Sequence, residues 1–383
     1  MKIAMVSTIE PHGHYTENLC KALATEKSLH ITLYTPIGEH SAHLPRTITQ
    51  KAIWRKGWWF ALDILKAVRH DKPDIVHLQH EFTMYGGVVT ALLFPLLVIL
   101  LRISGYTVIT TLHAVVAKKQ IDAQFIHNFL IRQPLYIRPG TMRLVFTYIY
   151  TIIGRYASAC VCHTKLLAQT LVDDYYAAPH RVYAIAPVVP HHTLRHIPKK
   201  PYFFYYGYMV RRKGLEYILE AMQKFIQIHP SYKLVLAGGQ IPGQEAAYEE
   251  LLEKIKALGI QDHVEIKGFI ETEQELDTLY AEAYAVLIPA RLSIAASGPL
   301  YHARGYHKCI AASRIGNFIE EVQHNTNGIL VENDKWYDAL VYMVEHPQIV
   351  AQLENGSAAV AEKHSGHHIA DEYTQLYNHF QKH

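Results

Sequence analysis

Short apolar segments of the strand type alternate with helical segments along this chain, and that alternation limits the possible fold more than any other feature. The pattern is typical of βαβ units, in which parallel strands form one sheet covered by helices on both faces. We therefore expect an α/β protein whose first half is Rossmann-like. Its predicted strands are Lys2 to Ser7, His30 to Tyr34, Asp74 to Gln79, Tyr106 to Thr111 and Ala159 to Cys162.

A second alternation of the same kind begins after the proline-rich segment Pro187 to Pro201. The length of 383 residues suits two domains of ordinary size. We expect Rossmann-like domains over residues 1–195 and 196–365, and a last helix over 366–383 that packs back on the first domain. The predicted strands of the second half are Phe203 to Tyr206, Lys233 to Ala237, Val264 to Lys267, Ala285 to Ile288 and Cys309 to Ala312.

Composition excludes several classes of function. Half of the residues are hydrophobic, and the formal net charge of +3 comes with no block of Lys and Arg interleaved with aromatics, so we expect no nucleic-acid partner. The 26 histidines and four cysteines show no metal-ligand spacing, and we predict no metal. Met1 to Ser7 passes directly into a strand, so we expect no signal peptide and a cytoplasmic location.

An apolar run from Val88 to Leu101 is broken by Pro95 and closed by Arg102. It is short for a membrane span, which needs about 20 residues, so it fits a buried crossover helix or an interfacial helix. Basic residues and aromatics in the same half would suit peripheral contact with an anionic bilayer, but an ordinary internal helix with a surface loop explains them equally well. The basic residues are Arg69, Lys118, Lys119, Arg132, Arg138 and Arg143.

The segment from Val286 to Gly316 predicts a short strand, a loop and a helix that starts at Ser297-Gly298-Pro299. Ser297 is a suitable N-cap, and Pro299 lies in the first turn, where its missing N–H is not needed. A helix start of this kind presents free N–H groups and a positive dipole, which favour a phosphate. Many αβ units have such a capped helix and bind nothing, so both interpretations stay open here.

Five motifs in the same order along the chain resemble the family-four glycosyltransferases of the GT-B fold. The resemblance covers nearly the whole chain, and it implies two Rossmann-like domains that face each other across a cleft. It also implies a retaining enzyme without metal or cofactor, with the nucleotide-sugar donor in the C-terminal domain and the acceptor in the N-terminal domain. The motifs are Asp74 to Glu81, Thr110 to His113, Gly207 with Lys213 to Ala221, Leu234 to Gly239, and Asn327 to Val331.

A basic turn of Arg211, Arg212 and Lys213 lies between a predicted strand and a predicted helix. Cations there would neutralise a diphosphate leaving group, which is the main charge that such a reaction must stabilise. In the family a lysine at the place of Lys213 has this role, and an arginine usually follows the strand glycine. Tyr208 stands there in this chain, so Arg211 or Arg212 would have to substitute. The alternative is a solvated basic turn.

The ends of two predicted strands carry polar side chains at the sheet edge where open α/β sheets bind ligands. His113 matches a family histidine that lies near the transferred sugar, and His80 and Glu81 are candidates for acceptor binding. Strand-end histidines are also common as purely structural residues. Gly13 occupies the loop that, in the family, closes near the donor phosphates, but this loop lacks the usual pair of glycines.

The largest departure from the family lies in the loop before the Ser297 helix. The family has two glutamates eight residues apart there, one near the sugar and one on the ribose, whereas this chain has Ile294 and His302. We expect His302 to bind the ribose, and Ser297, Gly298, Pro299 and Leu300 to form the phosphate loop with Arg211.

The sequence thus predicts a glycosyltransferase, with His113, Arg212 and Lys213 at the reacting centre, that moves a sugar to a glycan or lipid-linked acceptor. Loss of both glutamates favours an alternative, a non-catalytic GT-B scaffold that binds a partner or a glycan. A GT-B epimerase or phosphorylase is a third alternative, for which no carboxylate or cofactor lysine was found.

Overall fold

The computed structural model describes residues 1–9, 14–129, 137–192, 197–241 and 243–381. Its N-terminal domain is built on a seven-stranded sheet in the order β3-β2-β1-β4-β5-β6-β7, and every pair of neighbouring strands is parallel. The strands are β1 (Lys2–Val6), β2 (His30–Pro36), β3 (Thr49–Trp54), β4 (Ile75–His80), β5 (Thr107–Leu112), β6 (Ala159–Cys162) and β7 (Val182–Ala184).

Helices cover both faces of this sheet, and apolar side chains of the strands form a core on each side. The helices are α1 (His14–Leu23), α2 (Phe60–Asp71), α3 (Val88–Ile103), α4 (Ala123–Phe129), α5 (Pro139–Tyr156) and α6 (Lys165–Tyr175). The apolar run that starts at Val88 is therefore a crossover helix between β4 and β5. Among the helices of the described residues, none is both long and apolar enough to cross a membrane.

The C-terminal domain contains a parallel six-stranded sheet in the order β10-β9-β8-β11-β12-β13. Its strands are β8 (Tyr202–Tyr206), β9 (Lys233–Ala237), β10 (Val264–Gly268), β11 (Ala285–Ile288), β12 (Ile310–Ser313) and β13 (Ile329–Val331). Its helices are α7 (Leu215–Phe225), α8 (Glu245–Ala257), α9 (Glu273–Glu282), α10 (Gly298–Gly305), α11 (Phe318–Glu321), α12 (Trp336–Glu345) and α13 (Pro347–Lys363).

The last helix, α14 (Gly366–Gln381), packs against α1 of the N-terminal domain. The hydroxyls of Tyr15 and Tyr373 are hydrogen-bonded at 2.9 Å, and Tyr377 contributes to the core on the same side of the sheet. The chain therefore begins and ends in one domain. The predicted boundary between residues 195 and 196 falls in the segment 193–196, outside the described residues, and stays a prediction.

The four cysteines are free and buried, as the apolar surroundings of Cys160 and Cys162 predict. Three edge strands, β3, β7 and β13, were not predicted. β3 is half-exposed and contains Gln50 and Lys51, and β7 and β13 have only three residues each, so none of them forms the longer continuous apolar run that is typical of a central parallel strand.

Candidate functional site

The loops at the carboxyl ends of the two sheets meet through main-chain contacts. Ala114, just beyond β5, forms an antiparallel bridge with Ala295, in the loop after β11. The N–H of Val115 donates to the carbonyl oxygen of Ile294 at 3.1 Å, and the buried Ile294 side chain packs into the core of the N-terminal domain. The two domains are thus joined at the edge where each presents its ligand-binding loops.

A second contact joins the domains at the start of α6. One carboxylate oxygen of Glu320 accepts from the N–H of Lys165 at 2.7 Å, and the other accepts from the N–H of Leu166 at 2.8 Å. Thr164 Oγ1 donates to Asn317 Oδ1 at 2.9 Å. A carboxylate at a helix N-terminus satisfies free N–H groups and opposes the positive end of the dipole. The C-terminal domain therefore caps a helix of the N-terminal domain.

The basic turn after β8 is a short 3₁₀ helix, Arg211–Lys213, that leads into α7. Arg211 forms a two-pronged ion pair with Glu250 of α8, so its charge is already neutralised. Arg212 and Lys213 are half-buried, and no carboxylate among the described residues pairs with either. Burial and the charge of Arg212 lower the pKa of Lys213 to about 7. Among the described residues, this pair of basic groups has no carboxylate within salt-bridge distance.

Two glycines let the main chain approach closely beneath this turn. Gly238 has a φ of +126°, and a Cβ placed there would lie 2.1 Å from the carbonyl oxygen of Gly207. Pro299, in the first turn of α10, lies above Gly207, 3.5 Å from where a Cβ would be. A larger side chain at Gly238 would push the ends of β8 and β9 apart, so this glycine keeps them in contact, and Pro299 lies within van der Waals reach of the same place.

The start of α10 differs from the predicted cap. Ser297 occupies the N-cap position, but its hydroxyl makes no cap hydrogen bond and is buried without a partner among the described residues. The N–H groups of Leu300 and Tyr301 both donate to the carbonyl of Ser297, at 2.9 and 3.2 Å. Within the described chain, the N–H groups of Ser297 and Gly298 have no acceptor. A hydroxyl and two N–H groups at this helix start are therefore without partners among the described residues, whereas the Leu300 side chain lies in the core.

His302, on the next turn of α10, lies in an aromatic cluster near the interdomain linker. Its ring centroid is 5.8 Å from that of Tyr206 and 6.0 Å from that of His192, and His192 stacks on Tyr306 at 3.8 Å. Burial, with the nearby His192, lowers the pKa of His302 to about 3, and its Nδ1 has no partner among the described residues. A neutral imidazole with an open nitrogen suits a hydrogen bond to a hydroxyl.

His113 is the central member of a hydrogen-bonded series of side chains in the N-terminal domain. Its Nε2 lies 3.0 Å from Oε1 of Gln79, and its Nδ1 lies 3.2 Å from Nε2 of His163. His163 Nδ1 lies 3.1 Å from the carbonyl of Ile185, which can only accept, so that nitrogen carries a proton. Burial lowers the pKa of His163 to about 4, so its ring is neutral near pH 7. Gln79 Oε1 and His163 Nε2 are then both acceptors, and a neutral His113 ring can donate to only one of them.

The series fixes the ring of His113, and it continues to the last helix. Gln79 Nε2 lies 3.3 Å from Nε2 of His77, and His77 Nδ1 lies 2.7 Å from the hydroxyl of Tyr377 in α14. The ring edge of Tyr15 also contacts His113, with centroids 4.6 Å apart. A ligand that hydrogen-bonds to the His113 ring therefore has to compete with Gln79 or His163.

The two residues predicted to bind the acceptor lie in different environments. His80 is buried between Phe94 and Phe82, and neither of its ring nitrogens has a partner among the described residues. Burial lowers the pKa of His80 to about 4. Glu81 is half-exposed and accepts from the N–H and the hydroxyl of Thr83. Its carboxylate is also close enough to Arg212 to favour the charged form of the Arg212 guanidinium. Glu81 is therefore more accessible to a ligand than His80 is.

Two family models match the chain side by side. The model for "Glycosyltransferase Family 4" matches residues 12–193, and the model for "Glycosyl transferases group 1" matches residues 191–345. Together with the two parallel sheets, these matches decide the family. The chain belongs to the family-four glycosyltransferases.

Solved structures confirm the GT-B fold of this glycosyltransferase. Anabaena HepE, solved in complex with UDP, has a TM-score of 0.75 and 13% identity, with 99% of this chain and 100% of that chain covered. Sucrose-phosphate synthase from Thermosynechococcus elongatus has a TM-score of 0.70 and 17% identity, with 99% and 98% covered.

An uncharacterised glycosyltransferase of Methanocaldococcus jannaschii is 29% identical over 187 residues. That alignment covers 45% of this chain and spans 43% of the relative's own length. Sequence similarity to this relative is therefore limited to less than half of either protein.

Other features of this glycosyltransferase were not predicted from its sequence. Gln79, His163 and Tyr15 surround His113, and Glu320 and Asn317 join the domains. Of these five residues only Gln79 lies in a quoted motif, two residues before Glu81, and that position was the one available signal. Gly13 lies outside the described residues, so its predicted role stays a prediction.

One group of potential metal ligands lies at the surface formed by α14 and the segment after α1. Ligand atoms of Glu26, His367 and Asp371 lie within 4.8 Å of one another, and this is the one such group among the described residues. These side chains are largely exposed, and His367 and Asp371 already form an i,i+4 pair at 3.6 Å. The group is distant in the fold from Lys213, and the prediction of a metal-free enzyme stays a prediction.

Proposed function

We propose that this protein transfers a sugar, with retention of configuration, from a nucleotide sugar to a glycan or lipid-linked acceptor. The single observation that carries the proposal is the half-buried pair Arg212 and Lys213, which has no carboxylate in ion-pair contact among the described residues and lies against the loop after β11, where the N–H of Arg291 donates to the carbonyl of Arg212 at 2.9 Å. A diphosphate would supply the anion that this pair lacks.

Departure of a nucleoside diphosphate places negative charge on the oxygen that leaves the sugar. Arg212 and Lys213 would meet that charge from one side, and the N–H groups of Ser297 and Gly298 from the other. These groups already supply positive charge, so we propose that neither metal nor other cofactor takes part. In a retaining reaction of this kind the leaving phosphate itself removes the acceptor proton, which is why no general base is assigned.

The donor base and the acceptor are proposed from similarity to a solved structure and from the positions of single residues. Anabaena HepE has been solved with UDP and with UDP-glucose, which makes a uridine nucleotide the first donor to test. His302 would hold the ribose, and Arg211, paired with Glu250, would act less directly than Arg212. We propose that Glu81 contacts the acceptor, that the N-terminal domain works at a membrane surface, and that the enzyme is cytoplasmic.

A non-catalytic scaffold is the second candidate, and one observation favours it. Ile294, at the place of a family glutamate, packs into the N-terminal domain, so this position offers no polar group to a donor sugar. Such a scaffold would bind a nucleotide or glycan without consuming it.

Thermal unfolding in the presence of nucleoside diphosphates tests both candidates. A ligand at about 100 times its Kd stabilises the native state by about 2.7 kcal/mol, which raises Tm by several degrees. We expect UDP to do this for the wild type and not for Lys213→Ala. Lys335→Ala, which removes an exposed lysine paired with Asp338, is the matched control and should keep the shift.

Consumption of UDP-glucose then separates the two candidates. Release of UDP in the presence of an acceptor extract identifies the transferase. A Tm shift without any loss of UDP-glucose identifies the scaffold. Absence of a shift with every nucleoside diphosphate would contradict the assigned donor site.

A further inference from the structure

One outer surface of the N-terminal domain is apolar over the whole length of a helix. Along α3, the exposed side chains are Val88, Val89, Leu96 and Ile103, and Ile103 is 72% exposed. No charged residue occurs between Val88 and Leu101. Helices at the surface of a water-soluble domain normally present polar residues on their outer side, so α3 lacks its expected solvent face.

The neighbouring helices extend this surface on both sides. At the start of α2 the exposed side chains are those of Trp58, Trp59 and Leu62, and Trp58 is 74% exposed. On α5 the exposed apolar side chains include Leu144, which is 72% exposed. We refer to the whole set as the apolar face, which consists of Trp58, Trp59, Leu62, Val88, Val89, Leu96, Ile103, Leu144, Tyr148 and Tyr156.

The helix α3 packs between α2 and α5, and hydrogen bonds join the three helices at their ends. The N–H of Gly57, before α2, donates to the carbonyl of Tyr85, before α3, at 3.2 Å. At the other end of α3, Arg102 Nε donates to the carbonyl of Tyr156, the last residue of α5, at 3.0 Å. Contiguous apolar patches of this extent on a monomer mark a surface that binds another molecule.

The charges around the apolar face are predominantly positive. Neither α3 nor α5 contains an acidic residue, and the two of α2, Asp63 and Asp71, are each in a salt bridge, with Arg55 at 3.1 Å and Lys51 at 2.6 Å. Exposed cations remain whose charge no carboxylate among the described residues neutralises, namely Lys66, Arg69, Arg143 and Arg155. A partner of negative charge with an apolar interior would complement this surface.

The apolar face begins beside the predicted acceptor position. β4 ends at His80, Glu81 follows, and the same loop reaches Val88 at the start of α3. An acceptor embedded in the partner would therefore approach Glu81 and the cleft directly.

We infer that the apolar face docks on the surface of an anionic lipid bilayer, from which the enzyme takes a lipid-linked acceptor. Tryptophan and tyrosine at the margin of an aliphatic surface with cations around it are typical of proteins that lie in the membrane interface. At 16 residues, α3 is about 24 Å long and shorter than the ~30 Å hydrocarbon core, so it lies on the bilayer and does not span it. That the acceptor is lipid-linked depends on the proposed function, whereas the docking surface is argued from the exposed apolar side chains and the charges around them.

Co-sedimentation with lipid vesicles tests the inference on the full chain. Vesicles of phosphatidylcholine mixed with phosphatidylglycerol should bind the wild type, and pure phosphatidylcholine vesicles should bind it less. Leu96→Glu combined with Leu144→Glu should weaken partitioning by about tenfold or more, because two large side chains no longer enter the interface and two negative charges face the lipid. Both positions are exposed, so the variant should fold.

A matched control places the same charges on the other domain. Phe269, which is 73% exposed, and Ile319 both lie in the C-terminal domain, and Phe269→Glu combined with Ile319→Glu should leave vesicle binding unchanged. The Tm shift with UDP should be the same in all three proteins, which separates failure of docking from failure of the donor site.

Three results would overturn the inference. The first is no affinity of the wild type for anionic vesicles while its UDP shift is intact, and the second is a control variant that loses binding as strongly as the test variant. The third is a stable dimer in sedimentation velocity that Leu96→Glu dissociates, which would make a second copy of the chain the occupant of the apolar face.

Discussion

The main-chain N–H of Val115 and the carbonyl oxygen of Ile294 are joined across the two domains by a hydrogen bond of 3.1 Å. The residue that stands where the family has a sugar-binding glutamate is therefore used to hold the domains together. Its side chain lies among Val115, Val116 and other core residues of the N-terminal domain. The departure from the family motif has a structural function, whatever its effect on catalysis.

Ile294→Ala should lower the free energy of unfolding by roughly 2 to 4 kcal/mol, because a buried isoleucine is replaced by a cavity between the domains. Urea unfolding followed by fluorescence measures the change. Ile319→Ala, at an exposed position of the same domain, is the control and should change it by less than about 0.5 kcal/mol. Equal effects in the two variants would show that Ile294 does not bind the domains together.

Binding of a nucleoside diphosphate should weaken as pH rises through about 7. Burial and Arg212 lower the pKa of Lys213 to about 7 in the free protein, so Lys213 is charged below this pH and becomes neutral above it. Bound phosphate raises the pKa, so the loss of affinity begins above 7 and approaches about tenfold per pH unit if one proton is taken up. Calorimetric titrations from pH 6 to 9 measure the slope.

Lys213→Arg separates this explanation from others, because a guanidinium stays charged over the whole pH range. Its affinity for UDP should vary much less with pH than that of the wild type. A wild-type slope that Lys213→Arg retains would assign the titration to another group.

Central strands of both sheets could be predicted from sequence because they are buried on both faces and read as continuous apolar runs. Lys233–Ala237 and Ala285–Ile288 have the bounds that their sequences predict. The edge strand Thr49–Trp54 was missed because its outer residues are exposed and polar. Hydrophobic pattern therefore locates the middle of each sheet better than its edges.

The candidate site was predictable only where its residues lie in a motif. Lys213 and the start of α10 follow from the order of strand, turn and helix. The contacts of His163 with His113, and of Ile294 with Val115, join residues far apart in sequence, and no local pattern specifies which polar or apolar groups will meet there. The failed N-cap of Ser297 has the same origin, since the surrounding fold decides where its hydroxyl points.

His163→Phe should lower kcat by about fivefold and change the KM for the donor much less. The variant removes the ring nitrogen that lies 3.2 Å from His113 Nδ1 while it keeps a ring in the same space, so His113 loses a contact that fixes its orientation. A net hydrogen bond is worth about 1 kcal/mol, which is about fivefold in rate if the orientation matters only in the transition state. Steady-state kinetics with a saturating acceptor measure both constants.

His229→Phe provides the comparison for this variant, since His229 is a half-buried histidine of the C-terminal domain whose Nε2 has no partner among the described residues. It should leave kcat unchanged. If His163→Phe affects only thermal stability, His163 supports the fold and does not position His113.

Glu320→Ala should destabilise the contact between the domains by about 0.5 to 2 kcal/mol. The carboxylate accepts from two N–H groups at the start of α6, at 2.7 and 2.8 Å, and its charge opposes the helix dipole. Urea unfolding at low and high salt measures the change, and salt should reduce the part that comes from the dipole.

Glu332→Ala removes an exposed glutamate that pairs only loosely with Arg314, at 3.4 Å, and serves as the control. Because α6 and α11 lie in different domains, a loss in Glu320→Ala that exceeds the control measures the coupling between the domains. An equal loss in both variants would mean that the Glu320 cap adds nothing to that coupling.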